Sequence, residues 1–331
     1  MRRLTLALLT LSGLTFAHHG VASLGAVGLE GPGASLESST SATLPEGSWL
    51  FYTKLDSVKW KKYSFSEFPD QKDRSDFWMF GVGYGFKPWL SLYIFVPYNV
   101  KKELRDGGEK SFTSRGFADV SLMAVLGFKY DRGLKLLPKK ESLEDMMDWH
   151  FTLYGGISLP TGNANKKGYQ GEFAPDMALG FGKPTLTVGF TATKQFVNLP
   201  EFTFTLDTSY LKFFEHKYNT GDKYKFGDEV RLNTALSYRV FKDVQRSLRF
   251  DLITELNYLH LQKDKENGLK LDDSGGDILY GVLGGRMYYK RASLGAGVKF
   301  PLWKDLNQQS QQQGAEGKEK YRLIMTFSFM F

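Results

Sequence analysis

A chain of 331 residues is long enough for one large domain or two ordinary ones, and no Pro/Ser-rich linker or run of like charge divides it. With no cysteine, it has no disulfide framework, thiolate metal site or cysteine nucleophile. Its 43 basic and 36 acidic side chains are spread without a basic arm, which argues against nucleic acid as a partner, and a mean hydropathy of −0.32 with no long apolar run after the amino terminus excludes a helical membrane protein.

The first residues, MRRLTLALLTLSGLTFA, carry two arginines, an apolar stretch from Leu4 to Phe16 and a small residue, Ala17. They predict a cleaved secretory signal over 1–17, with Ala22 as a second cleavage point, because a transmembrane anchor would need roughly 20 apolar residues. Residues 18–46, HHGVASLGAVGLEGPGASLESSTSATLPE, lack strand alternation and are rich in Gly, Ala and Ser. They read either as a plug that folds into a barrel lumen and gates it, or as a mobile periplasmic arm.

From there on, segments of period two recur, near 47–60, 75–87, 89–101, 116–130, 149–160, 184–195, 201–214, 227–241, 247–261, 277–290, 291–302 and 320–331. Residues 229–240 make the best case: Val230, Leu232, Thr234, Leu236, Tyr238 and Val240 fall on one face, and Glu229, Arg231, Asn233, Ala235, Ser237 and Arg239 on the other. Lipid outside and water inside would sort residues this way, and an even strand count is what a bacterial single-chain barrel requires. A soluble sandwich also alternates, so the strands do not decide the matter alone. The strand lengths, the signal and the chain's last residues do, and the 27 Phe, 17 Tyr and 6 Trp suit a lipid-facing surface with interfacial girdles. The expected fold is all-β: an antiparallel transmembrane β-barrel of about twelve strands over 47–331, both termini in the periplasm.

The connections alternate as such a barrel demands. Long polar gaps lie at 61–74, 102–115, 161–183, 215–226, 262–276 and 303–319, and tight joins at Lys87-Pro88, Val197–Pro200, Lys242–Arg246 and Lys290-Arg291. The connection at 131–148 breaks the pattern. Its LKLLPKKESLEDMMD could hold a short helix capped by Ser142, and it reads either as a docking element for a periplasmic protein or as a longer turn. Glycines 81, 83 and 85 alternate along a strand, where they relieve crowding inside the wall rather than cradle a phosphate. At the end of the chain, Tyr321, Leu323, Met325, Phe327, Phe329 and Phe331 share one face. Of these, Tyr321, Phe327, Phe329 and Phe331 are the expected assembly signal, read by the barrel assembly machinery.

Strand parity assigns Lys54, Asp56, Asp119, Lys129, Asp207, Glu229, Arg231, Arg239, Arg249, Asp251, Glu255, Lys299 and Arg322 to the lumen. A lumen of one sign would select ions by charge, whereas this mixture suits cross-strand salt bridges with a few groups left to line a path. Tyr93 and Phe95, inward beside Pro97, are candidates for contact with an apolar solute or for packing against the amino-terminal segment. No catalytic constellation stands out among the five His: His150 and Thr152, two apart, are expected inward, unlike the outward pair of a barrel phospholipase. Asp272-Asp273 reads as a solvated loop pair, and His18-His19 offers only a weak metal chelate. No cofactor or metal is expected.

The stretches GVASLGAVGLEGPG and LPEGSW, GFADVSL at Gly116–Leu122, LPTGN at Leu159–Asn163 and the closing strand are similar to the outer-membrane proteins of the MetA-pathway-of-phenol-degradation family. The resemblance covers nearly the whole chain after the signal. It implies an outer-membrane channel in the lipid bilayer for small solutes, hydrophobic or aromatic ones among them, and carries no binding residues with it. The competing classes are a closed scaffold barrel that holds a periplasmic partner and, behind it, an outer-membrane barrel enzyme.

Overall fold

A computed structural model describes residues 32–60, 72–104, 112–138, 147–168, 171–172, 175–219, 221–307 and 319–331. Twelve long strands make the wall: β1 (Trp49–Trp60), β2 (Lys72–Lys87), β3 (Leu90–Leu104), β4 in two parts (Phe112–Phe117 and Val120–Tyr130), β5 (Trp149–Leu159), β6 (Thr185–Phe196), β7 (Leu199–Lys212), β8 (Glu229–Asp243), β9 (Leu248–Leu261), β10 (Gly276–Tyr289), β11 (Ala292–Leu306) and β12 (Glu319–Met330). Each pairs antiparallel with its neighbours in sequence, and β12 pairs with β1, so the sheet closes on itself and leaves no edge.

The period-two pattern becomes two surfaces. Along β3, Leu92 and Ile94 are exposed on the outside while Ser91, Tyr93 and Phe95 are buried on the inside. Along β12, Leu323, Met325, Phe327 and Phe329 stand outside while Ile324, Thr326 and Ser328 are buried. The closing seam sets Phe51 opposite Phe329 and Leu55 opposite Met325. It ends in a reciprocal pair of hydrogen bonds, Trp49 N–H to the Phe331 carbonyl at 2.8 Å and Phe331 N–H to the Trp49 carbonyl at 2.9 Å.

The fourth strand, expected to run unbroken over 116–130, is interrupted at Ala118-Asp119. Gly116 takes a φ of 151°, and the Ala118 N–H bonds back to the Pro97 carbonyl at 2.9 Å. Proline offers no ladder donor at that register, so the strand bends and re-pairs with β3 beyond it.

The two ends of the barrel differ. At one end the turns are tight, Lys290-Arg291 among them, with Lys290 at a φ of 52°. The exception is the 131–148 connection, where Leu134–Leu136 turns back to pair with Phe128–Tyr130. The short helix expected around Ser142 lies outside the described residues, as does the amino-terminal stretch up to residue 31. At the other end, three long connections fold together. His216–Lys217, Lys223–Lys225, Lys265–Glu266 and Leu269–Lys270 form a four-stranded sheet. Beneath it Ala164, Leu211, Phe213, Tyr218, Tyr224 and Phe226 make an apolar cluster, with Phe181 and Leu271 packed against it.

Candidate functional site

The inward faces of the wall surround residues 32–46, which enter the barrel before β1 begins. This segment has no apolar period with which to pair as a strand, so its backbone N–H groups need other acceptors once they leave water. Inward side chains of five strands supply them. Gly33 N–H donates to Thr203 Oγ1 on β7 at 2.9 Å, Ala34 N–H to the Tyr288 hydroxyl on β10 at 2.9 Å, Ser39 N–H to Asp207 on β7 at 3.1 Å, Ser41 N–H to Thr193 Oγ1 on β6 at 2.9 Å, and Leu44 N–H to Ser91 Oγ on β3 at 2.8 Å.

The densest anchor is Glu255 on β9. Its carboxylate accepts the N–H groups of Leu36, Glu37 and Ser38 at 2.5, 3.0 and 2.9 Å, and the Ser38 hydroxyl at 2.6 Å. Three successive backbone donors converging on one anion form a nest, a geometry that suits negative charge. Beside it, the Glu37 carboxylate reaches back to the wall and lies between two ammonium groups, Lys54 on β1 and Lys299 on β11, the latter at 2.7 Å. Lys54 also has Asp56 at 3.4 Å, and the Lys299 ammonium sits 4.6 Å from the Tyr280 ring centroid. Leu36 is fully buried against β10 and β11. A Cβ at Gly284, Gly295 or Gly297 would come within 2.4, 2.8 or 2.5 Å of its methyl groups, so three glycines make the socket.

The lumen candidates are distributed as follows. Tyr93 and Phe95 face inward, stack at 6.0 Å over Gly83 and Gly81, and share an apolar cluster with Leu44 of the inserted segment. Asp207 also accepts from the Tyr154 hydroxyl at 2.8 Å and from Asn233 at 3.2 Å. Arg231 pairs with Glu229 at 2.7 Å, and Arg249 with Asp251 at 2.5 Å under the Tyr288 ring. Arg239 stands on the inward parity of β8 toward the tight-turn end. Asp119 binds the N–H groups of Gly162 and Phe181 at 2.8 and 2.9 Å, tying the 160–184 connection to the wall. Among the assembly residues, Phe327, Phe329 and Phe331 are exposed on the outer face, with Tyr321 on the same parity. His150 and Thr152 are both buried on the inside.

Sequence reasoning missed Leu36, Glu37 and the hydroxyl acceptors Ser91, Thr193 and Thr203. Glu37 alone had a signal, as an acid inside the small-residue run GASLESSTS. On the outer wall an apolar hollow of about 670 Å³ spans β1 to β5, lined by Trp49, Val82, Leu92, Ile94, Leu122 and Ile157, where Gly83, Gly155 and Gly156 thin the wall. Among the described residues no cluster of three or more His, Asp or Glu could hold a metal ion.

In the long-loop cap, burial pushes the Asp264 carboxyl up from its ordinary range against hydrogen bonds from the Tyr224 hydroxyl and the Gly227 N–H. Burial also pushes Asp228 up, but hydrogen bonds from Lys225, Tyr210 and the Phe213 N–H outweigh it and hold that carboxyl below the usual range.

The family described as "Putative MetA-pathway of phenol degradation" matches residues 92–305. The chain belongs to this family. An outer membrane channel from Pseudomonas putida F1 shares its fold, with a TM-score of 0.64 at 13% identity over 88% of this chain and 98% of that one. The β-domain of the Bordetella autotransporter BrkA aligns at a TM-score of 0.46 and 8% identity, over 86% of this chain and 100% of that one. No curated protein matches. The family and the closed twelve-stranded wall make this chain an outer-membrane β-barrel.

Proposed function

We propose that the barrel is a channel for small solutes, hydrophobic or aromatic ones among them, moving down their gradient, and that residues 32–46 are the plug that closes it. The observation that carries this reading is the way the segment is held. It sits inside the wall on hydrogen bonds and ion pairs from inward side chains rather than on a strand ladder, a mode of attachment that water or solute can replace. The family's description favours aromatic cargo, and Tyr93 and Phe95 give an apolar solute a surface once Leu44 moves.

In this reading the signal at 1–17 is cleaved and the tight-turn end faces the periplasm. Leu134 and Leu136 extend the apolar outer face of β4, so the 131–148 connection is a longer turn before it is a docking element.

The test is single-channel conductance of the refolded mature protein in planar bilayers, beside a version lacking 18–46, with aromatic and charged solutes added as blockers. The expected result is small or rare steps in the first and large steps in the second, blocked by one solute class. Silence in both would move the weight to a scaffold barrel.

A further inference from the structure

The polar interior carries both signs, with Asp207 a further buried acid beside the groups that matter here. Lys54, Lys299, Arg231, Arg249, Arg286 and Arg322 face Glu37, Asp56, Glu229, Asp251, Glu255 and Glu319. Arg231 is matched by Glu229, Arg322 by Glu319 and Arg249 by Asp251. Arg286 donates to the Ser35 carbonyl at 2.8 Å and to Ser293 at 3.0 Å, and Glu255 lies in its nest. The acid between Lys54 and Lys299 is different in kind: Glu37 is the one member of the set that belongs to the inserted segment and not to the wall.

If the segment withdraws, it takes Glu37 with it. Lys54 and Lys299 are both buried; Lys54 keeps Asp56 at 3.4 Å, whereas Lys299 loses the carboxylate it is paired with. A buried charge stripped of its partner is strongly unfavourable, so withdrawal is coupled to whatever restores the balance. A single anion restores the pairing directly. The surroundings also define the anion's body. Tyr280 lies against Lys299, Tyr52 is buried next to Lys54, and Tyr93 and Phe95 belong to the same apolar cluster as Tyr52.

We propose that Glu37 is a built-in pseudo-ligand, and that Lys54 and Lys299 form a binding site for one small carboxylate with an apolar or aromatic body, whose arrival displaces Glu37 and frees the plug. This inference rests on the plug reading, and it adds to it the charge and class of the solute. By linkage, a ligand that binds only the open arrangement shifts the population toward it, in proportion to its preference for that state.

The test uses the full mature chain, with benzoate as probe and benzamide as its neutral counterpart. Glu37→Gln leaves the segment in place without its carboxylate. It is expected to bind benzoate at least about tenfold more tightly than the native chain, by calorimetry in detergent, with benzamide bound by neither. Adding Lys299→Met to that variant should abolish the gain. In planar bilayers benzoate, and not benzamide, should raise the open fraction of the native chain, and Lys299→Met alone should remove the response, which covers the case in which Glu37→Gln does not refold.

Equal binding of benzoate and benzamide, no gain in Glu37→Gln, a gain that survives Lys299→Met, or a native channel indifferent to benzoate would each overturn the site. A barrel that stays silent when 18–46 is deleted overturns the plug reading itself, a separate result from failure of the carboxylate arms.

Discussion

Neither the inserted segment nor the long-loop cap belongs to the barrel wall, yet they are held by opposite means. The cap makes its own sheet and its own apolar core, with Phe213, Tyr224 and Phe226 buried against Phe181. The segment makes neither. Apart from the Leu36 socket and the contacts around Leu44, it is fixed by wall side chains acting on its backbone and on Glu37. Burial of apolar surface is non-directional and survives small shifts. A set of hydrogen bonds to buried carboxylates is directional, and each bond lost must be replaced by water or by another donor. On the proposed plug reading, the cap stays in place while the segment exchanges its partners.

Both regions presuppose a closed wall, so the largest effect is expected at the seam. Deleting Phe331 removes its reciprocal backbone pair with Trp49 and an outward aromatic, and should cut the amount of folded barrel in the membrane several-fold, read by heat-modifiable migration on gels. Normal insertion after that deletion would sink the closing-strand argument.

Next, Glu255→Ala takes away the acceptor of four hydrogen bonds and leaves three backbone donors to find water, each at a cost of about 1–3 kcal/mol if they stay dry. Conductance should rise toward that of the version lacking 18–46, while protease resistance of the cap stays unchanged. If both regions loosened together, the proposed independence would be lost.

The converse variant is Phe226→Ala, which removes a buried ring from the cap. Large-to-small changes of this type cost about 3–5 kcal/mol, and here the loss should stay local: faster proteolysis or hydrogen exchange across 213–228 and 262–275, with the closed-state conductance of the native chain retained.

The smallest effect is a pH response of the cap. Because the Asp228 carboxyl is held below its ordinary range, it contributes stability above the unfolded value and loses it as pH falls through the folded one. The contribution of Asp228 to the cap should therefore be lost only in acid beneath the usual carboxylate range, and Asp228→Asn should flatten the profile of hydrogen exchange there. An unchanged profile would place the acid response elsewhere.

Much of the wall was legible from residue order. Val230 to Val240 and Leu323 to Phe329 alternate because a strand has two faces and only one meets lipid, so parity predicts both the fold and the inward direction of Arg231, Arg249, Asp251 and Glu255. The pairing of Arg249 with Asp251 was implicit in that parity, two residues apart on one face. The role of Asp119 was not. Its carboxylate reaches Gly162 and Phe181, 43 and 62 positions onward, and nothing local marks that contact. The break at Ala118-Asp119 was hidden for the same reason, since Pro97 acts on it from the adjacent strand. Leu36 sits among small polar residues and reads as a stray apolar side chain until Gly284, Gly295 and Gly297 come together around it.

The sequence by itself thus determined the class, the strand count and the direction of most side chains across the wall, because these follow from a two-residue period and from turn lengths, both local properties; short motifs such as GFADVSL and LPTGN carried the resemblance to the family. Tertiary structure alone decided what fills the barrel. Residues 32–46 have no period of their own, and their place depends on acceptors from five strands spread between Ser91 and Tyr288, which are neighbours only after the wall has curved and closed.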